Sequence, residues 1–154
     1  MPIIDLPDEA ATAVFAARLS ALAAPGDIFA LKGDLGAGKT SFARAFIRAR
    51  GGEEEEVPSP TFTLVQVYEV AEAAIWHFDL YRLKSPEEAW ELGIEDAFSE
   101  GISLIEWPER LGPLLPKRRF EITFLFGERP EARRAALAAG EGWQERLAGI
   151  VAGA

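Results

Sequence analysis

Gly33-Asp34-Leu35-Gly36-Ala37-Gly38-Lys39-Thr40 decides the fold. The apolar run Ile28-Phe29-Ala30-Leu31 precedes it. Ser41-Phe42-Ala43-Arg44-Ala45-Phe46-Ile47 follows, with its apolar residues at helical spacing. A G-x-x-x-x-G-K-[ST] pattern between a strand and a helix is the context in which it reads as a phosphate loop. Glycines let successive backbone N–H groups turn inward around an anion, where side chains would block the approach. The helix behind the loop aims unsatisfied N–H groups and a positive dipole end at the same point. Lys39 adds a full charge beside the β and γ phosphates, and Thr40 offers a hydroxyl to Mg²⁺. The expected contacts to an ATP-like ligand therefore run through Gly33, Leu35, Gly36, Ala37, Gly38, Lys39, Thr40 and Ser41.

Upstream, Ile3-Ile4 reads as a short edge strand. Asp5-Leu6-Pro7-Asp8 reads as a helix start with Asp5 at the N-cap, and the helix shows Val14, Phe15, Leu19 and Leu22 at apolar spacing before Pro25-Gly26. Downstream, the helix after the loop stops at Gly51-Gly52, and Glu53 to Glu56 is a solvated like-charge run. Val57 to Val70 is extended by two prolines and then β-branched and aromatic; with Ala74 to Arg82 it makes an antiparallel hairpin. Ser85-Pro86-Glu87-Glu88 predicts a capped short helix with Ser85 as N-cap. Gly101 to Glu106 is a buried-type strand, and Trp107-Pro108 opens another short helix. Arg119 to Phe126 reads as the last strand, with Phe120, Ile122, Phe124 and Phe126 on one face. Pro130 to Ala154 is rich in Ala, Arg and Glu and reads as helix.

Chemistry needs more than the loop, because hydrolysis requires a metal and a positioned water. Two apolar strands end in an acid, at Asp79 and Glu106, and ligands of open α/β sheets bind beyond the carboxyl ends of the strands. Asp79 is assigned to Mg²⁺, in the Walker B role. Glu106, which also lies within reach of the metal, orients or deprotonates the attacking water, or else caps the turn that follows it. Thr61 has the chemistry to sense the γ-phosphate, and equally the spacing of a strand-initiating threonine. His77 shares a strand face with Ile75 and Asp79, either hydrogen-bonded in the core or shuttling a proton. Trp107 covers the site or fills the core.

Composition bounds the rest. A chain of 154 residues that is 49% hydrophobic and 27% charged fits one α/β domain over 1–154. No apolar run approaches a membrane span, so a cytoplasmic protein is expected. With no cysteine, thiolate nucleophiles and Cys-based zinc sites are excluded. A net charge of −9 argues against a protein that grips nucleic acid unaided.

Four blocks then carry a resemblance: the loop at Gly33 to Thr40, Ser59-Pro60-Thr61-Phe62-Thr63-Leu64-Val65, His77-Phe78-Asp79-Leu80-Tyr81-Arg82, and Glu106-Trp107-Pro108-Glu109. In this order, over roughly residues 5 to 126, they resemble the bacterial TsaE (YjeE) family of small P-loop ATPases. The resemblance implies a three-layer α/β P-loop NTPase fold, with a mixed, mostly parallel central sheet and one antiparallel hairpin. It also implies ATP and Mg²⁺ as cofactors. The partner would be the TsaD–TsaB heterodimer, which places threonylcarbamoyl groups on tRNAs that read ANN codons. By the same resemblance Lys39 and Glu106 are catalytic, Thr40 and Asp79 hold the metal, Thr61 is switch-like and Trp107 lies near the site. A signalling GTPase is disfavoured, since its N-K-x-D motif needs an asparagine that the chain lacks. A small-molecule P-loop kinase and a nucleotide-gated scaffold without essential turnover remain as alternatives.

Overall fold

The computed structural model describes residues 2–51, 64–70 and 73–152. In chain order the elements are β1 (Ile3–Leu6), α1 (Glu9–Leu22), β2 (Ile28–Lys32), α2 (Lys39–Gly51), β3 (Val65–Val70) and β4 (Ala73–Asp79). They continue with α3 (Glu88–Glu91), α4 (Ile94–Glu100), β5 (Ile102–Glu106), a 3-10 segment (Pro108–Leu114), β6 (Phe120–Phe126), β7 (Arg133–Ala139) and α5 (Gln144–Ala152).

The strand ahead of the loop, β2, lies at the middle of one seven-stranded sheet ordered β1-β7-β6-β2-β5-β4-β3. It pairs in parallel with β5 and β6, and β4 pairs in parallel with β5. Antiparallel pairs close both sides: β3 on β4, β7 on β6 and β1 on β7. Five of the seven strands thus run one way, and only β3 and β7 oppose them. A central parallel strand is covered on both faces, which is why Ile28 to Leu31 is apolar without alternation. Phe29 and Leu31 pack against Phe15 and Leu19 of α1, Phe42 and Phe46 of α2, and Trp143. Ile28 faces the other layer, with Phe78, Ile94, Ala97, Ile105 and Leu111. The mixed three-layer P-loop fold expected from the sequence is the one observed.

Several local expectations are corrected. Asp5 does not cap α1; it extends β1, where it pairs with Arg134, and Asp8 caps instead, accepting the Ala11 N–H at 2.9 Å. The edge strand outcompetes an early helix start because β7 offers it a full ladder. Val14 and Leu22 are 62% and 56% exposed, since α1 turns Phe15, Ala16, Leu19 and Ser20 inward and Ser20 donates to the Phe46 carbonyl at 2.9 Å. Ser85 is not a cap either: α3 begins at Glu88, whose carboxylate accepts the Lys84 N–H at 3.2 Å.

The largest correction concerns the C-terminal segment. Residues Arg133 to Ala139 form a strand, not a helix, inserted between β1 and β6. Two strands need a partner at that edge, and ladder hydrogen bonds to both outweigh the helix preference of alanine. Ala135 and Leu137 then join the core beneath the helices. Phe126, at the end of the face that Phe120, Ile122 and Phe124 bury, is 55% exposed, with the Arg133 guanidinium 5.0 Å from its ring.

Candidate functional site

The site is built where β2, β4 and β5 end. Gly33 leaves β2 at φ +135°, and a Cβ there would lie 2.6 Å from the Phe124 carbonyl oxygen, so only glycine fits the exit. The loop runs to Gly38, also at positive φ, and α2 begins at Lys39. The N–H groups of that first turn have no acceptor within the helix. Lys39 is 4% exposed. Its ammonium donates to the Gly33 carbonyl and lies 3.5 Å from the centroid of the Trp107 ring. Burial holds this amine below its ordinary value of 10.5, while Glu106, Glu109, Asp79 and Asp34 pull it back up.

The two acids that end β4 and β5 are register partners, Asp79 opposite Glu106. Asp79 accepts the Tyr81 N–H at 3.1 Å. Glu106 is 2% exposed; its Oε1 accepts from the Thr40 hydroxyl at 2.8 Å, and its Oε2 lies 2.6 Å from His77 Nε2. Trp107 then takes a left-handed backbone, φ 59° and ψ 52°, which turns the chain sharply and brings the indole over Lys39. The Tyr81 ring packs on it at 5.0 Å.

Lys39, Thr40, Asp79, Tyr81, Glu106 and Trp107 share one cavity of about 500 Å³. Of the residues expected from the sequence, Leu35, Gly36, Gly38, Lys39, Thr40, Ser41, Asp79, Glu106 and Trp107 line it. Gly33 and Ala37 do not: Gly33 is packed on Phe124, and Ala37 points into the core. Thr61 and the glutamate run lie outside the described residues. Arg82 and Arg110, which flank two of the motifs, are not among the lining residues. The lining also includes Glu9, Thr12, Tyr81, Glu131 and Arg133, which the sequence reading missed. Tyr81 had a signal, two residues after Asp79 in the third block. Arg133 had none, because its segment read as helix; it donates to the Gly36 carbonyl at 3.1 Å and so braces the loop from β7.

The donor set fits a magnesium nucleotide. A hydroxyl and two carboxylates are hard oxygen donors, the kind Mg²⁺ selects. Among the described residues no group of three or more His, Cys, Asp or Glu side chains could hold a metal by itself. Mg²⁺ normally takes one or two carboxylates and completes its octahedron with phosphate and water.

Comparison with known proteins bears on the family. The family model described as Threonylcarbamoyl adenosine biosynthesis protein TsaE matches residues 6–135. The chain belongs to the TsaE family. The tRNA threonylcarbamoyladenosine biosynthesis protein TsaE of Rickettsia bellii is 47% identical over 117 residues, covering 76% of this chain and 81% of that protein. The protein of the same description from Bacillus subtilis is 38% identical over 112 residues, 72% and 69% of the two chains. Among solved structures, the crystal structure of Bacillus subtilis YdiB superposes with a TM-score of 0.78 at 27% identity, covering 98% of this chain and 93% of that one. TsaE relatives thus match the chain in sequence, and the YdiB structure matches its fold.

Proposed function

We propose that the chain is a Mg²⁺-dependent ATPase of tRNA threonylcarbamoyladenosine modification, working in the cytoplasm with the TsaD–TsaB heterodimer on tRNAs that read ANN codons. Membership of the TsaE family supports the pathway. One observation supports the chemistry: Lys39, Thr40, Asp79 and Glu106 line a single cavity at the carboxyl ends of parallel strands. Among the described residues no helix is long and apolar enough to cross a membrane.

In this reading each side chain has a task. Loop N–H groups and the first turn of α2 hold phosphate oxygens. The Lys39 ammonium exchanges the Gly33 carbonyl and the Trp107 ring for the β and γ phosphates. Thr40 and Asp79 would hold Mg²⁺, with Glu106 beside them, and the Thr40 hydroxyl would give up Glu106 to do so. A bound Mg²⁺ would supply charge neutralisation of the phosphates. Glu106 then orients the attacking water and takes its proton at Oε1. Thr61 is assigned the γ-phosphate-sensing role, and Trp107 covers the reacting end.

Isolated domains of this type without an activating arginine turn over at roughly 10⁻⁴ to 10⁻³ per second. Arg133 lines the cavity but is bonded to the Gly36 carbonyl of the loop, and Arg82 and Arg110 lie outside the lining, so activation by the partner is the expected regime. A net charge of −9 leaves the tRNA to that partner. The test is ATP turnover with and without TsaD–TsaB. Wild type should be stimulated. Lys39→Ala should lose ATP binding, and Glu106→Ala should bind ATP and the partner without hydrolysis. Undiminished turnover in Glu106→Ala would replace this reading with nucleotide-gated docking.

A further inference from the structure

Glu106 faces Asp79 across the β4–β5 ladder, and like charges at opposed positions repel. Its carboxylate instead lies along the sheet, with Oε2 on His77 at 2.6 Å and Oε1 on Thr40 at 2.8 Å. His77 sits one alternation back on the same face of β4, opposite Leu104 of β5 and Gln66 of β3, and is 0% exposed. Among the described residues its Nδ1 has no hydrogen-bond partner. The arrangement suits an anchor: a ring locked in the core and bonded to one carboxylate oxygen.

We propose that His77 is the positioning residue for Glu106, donating from Nε2 to Oε2 throughout the reaction cycle. The two oxygens of Glu106 then have different fates. Thr40 belongs to the mobile half of the pair, because the same hydroxyl is wanted at the phosphate end of the cavity. His77 belongs to the fixed half, since a fully buried strand residue cannot follow the nucleotide. When Thr40 leaves, Oε1 alone is freed, at a position and angle set by the bond behind it. A carboxylate without that anchor would collapse toward Lys39 or rotate off the water. Buried partners of this kind typically change activity by about 10- to 100-fold when removed. This rests on the reading of Glu106 as the water-orienting group.

The experiment uses the full chain with its partner heterodimer, measuring ATP affinity and turnover separately. His77→Met should keep ATP affinity within about twofold of wild type and lower kcat by about 10- to 100-fold. His77→Gln, whose amide can donate to Oε2, should recover most of the loss. In a Glu106→Gln background, His77→Met should change turnover by less than about twofold, since residues acting as a unit are not additive. Wild-type turnover in folded His77→Met, or a Gln variant no better than Met, overturns the proposal. If His77→Met does not fold, the single histidine of the chain gives a direct signature in the wild type. Its Nε2–H resonance should lie at low field and persist when Mg-ATP is added; loss on loading overturns the anchor. Should Glu106→Gln itself leave turnover intact, the proposed function falls and takes His77 with it. Loss of turnover in Glu106→Gln without loss in His77→Met sinks only the positioning role.

Discussion

Lys39 shows how the site weighs burial against charge. Burial lowers its pKa from 10.5, against the pull of four nearby carboxylates. The unfolded chain keeps the ordinary value, so between the lowered value and 10.5 it binds more protons than the folded one, and stability rises with pH in that window. Below the window both states carry the charge and the folded state bears its burial. Urea titrations of wild type against Lys39→Met, which has no titrating group there, should show the difference moving in favour of wild type as pH climbs toward 10.5. A constant difference would contradict the assignment. Trp107 is the neighbouring test. A left-handed backbone costs a non-glycine residue about 1–2 kcal/mol, offset here by the ring's contacts with Lys39 and Tyr81. Drawing the ammonium off that ring should change indole emission when Mg-ATP binds. The change should vanish in Trp107→Phe, although Trp76, Trp90 and Trp143 still report folding.

At the scale of elements, β7 carries the lesson about reading sequence. The phosphate loop, its flanking strand and helix, and the two acid-terminated strands were legible because each is a local pattern with a physical reason. β7 was not. Alanine favours helix locally, and the ladder that overrides it joins the two ends of the chain, with Ile3 opposite Ala136. The bond between His77 and Glu106 was hidden for a related reason: it depends on the β4–β5 register, which no single strand reveals. One functional consequence follows from β7. Arg133, its first residue, ties Gly36 of the loop to this strand at 3.1 Å. Arg133→Ala should weaken ATP binding by about tenfold, the scale of one lost hydrogen bond. Calorimetry reads this directly, and an unchanged affinity would make Arg133 a bystander.

For the molecule as a whole the problem is charge. A chain at −9 is asked to hold a polyanion, in a cavity whose lining brings Glu9, Asp79, Glu106 and Glu131 against Lys39 and Arg133. Two cations beside four carboxylates do not neutralise a triphosphate, so affinity should depend on the divalent ion as well as on Lys39. Ligand at about 100 times its dissociation constant stabilises a fold by about 2.7 kcal/mol. For a chain of this length that is a rise in melting temperature of roughly 5–11 °C. Mg-ATP should produce this rise in wild type and none in Lys39→Ala. ATP with excess EDTA should produce little, because the acids then face the phosphates directly. A full rise in EDTA would mean that Lys39, Arg133 and the loop N–H groups suffice, and Asp79 would lose its assignment to the metal.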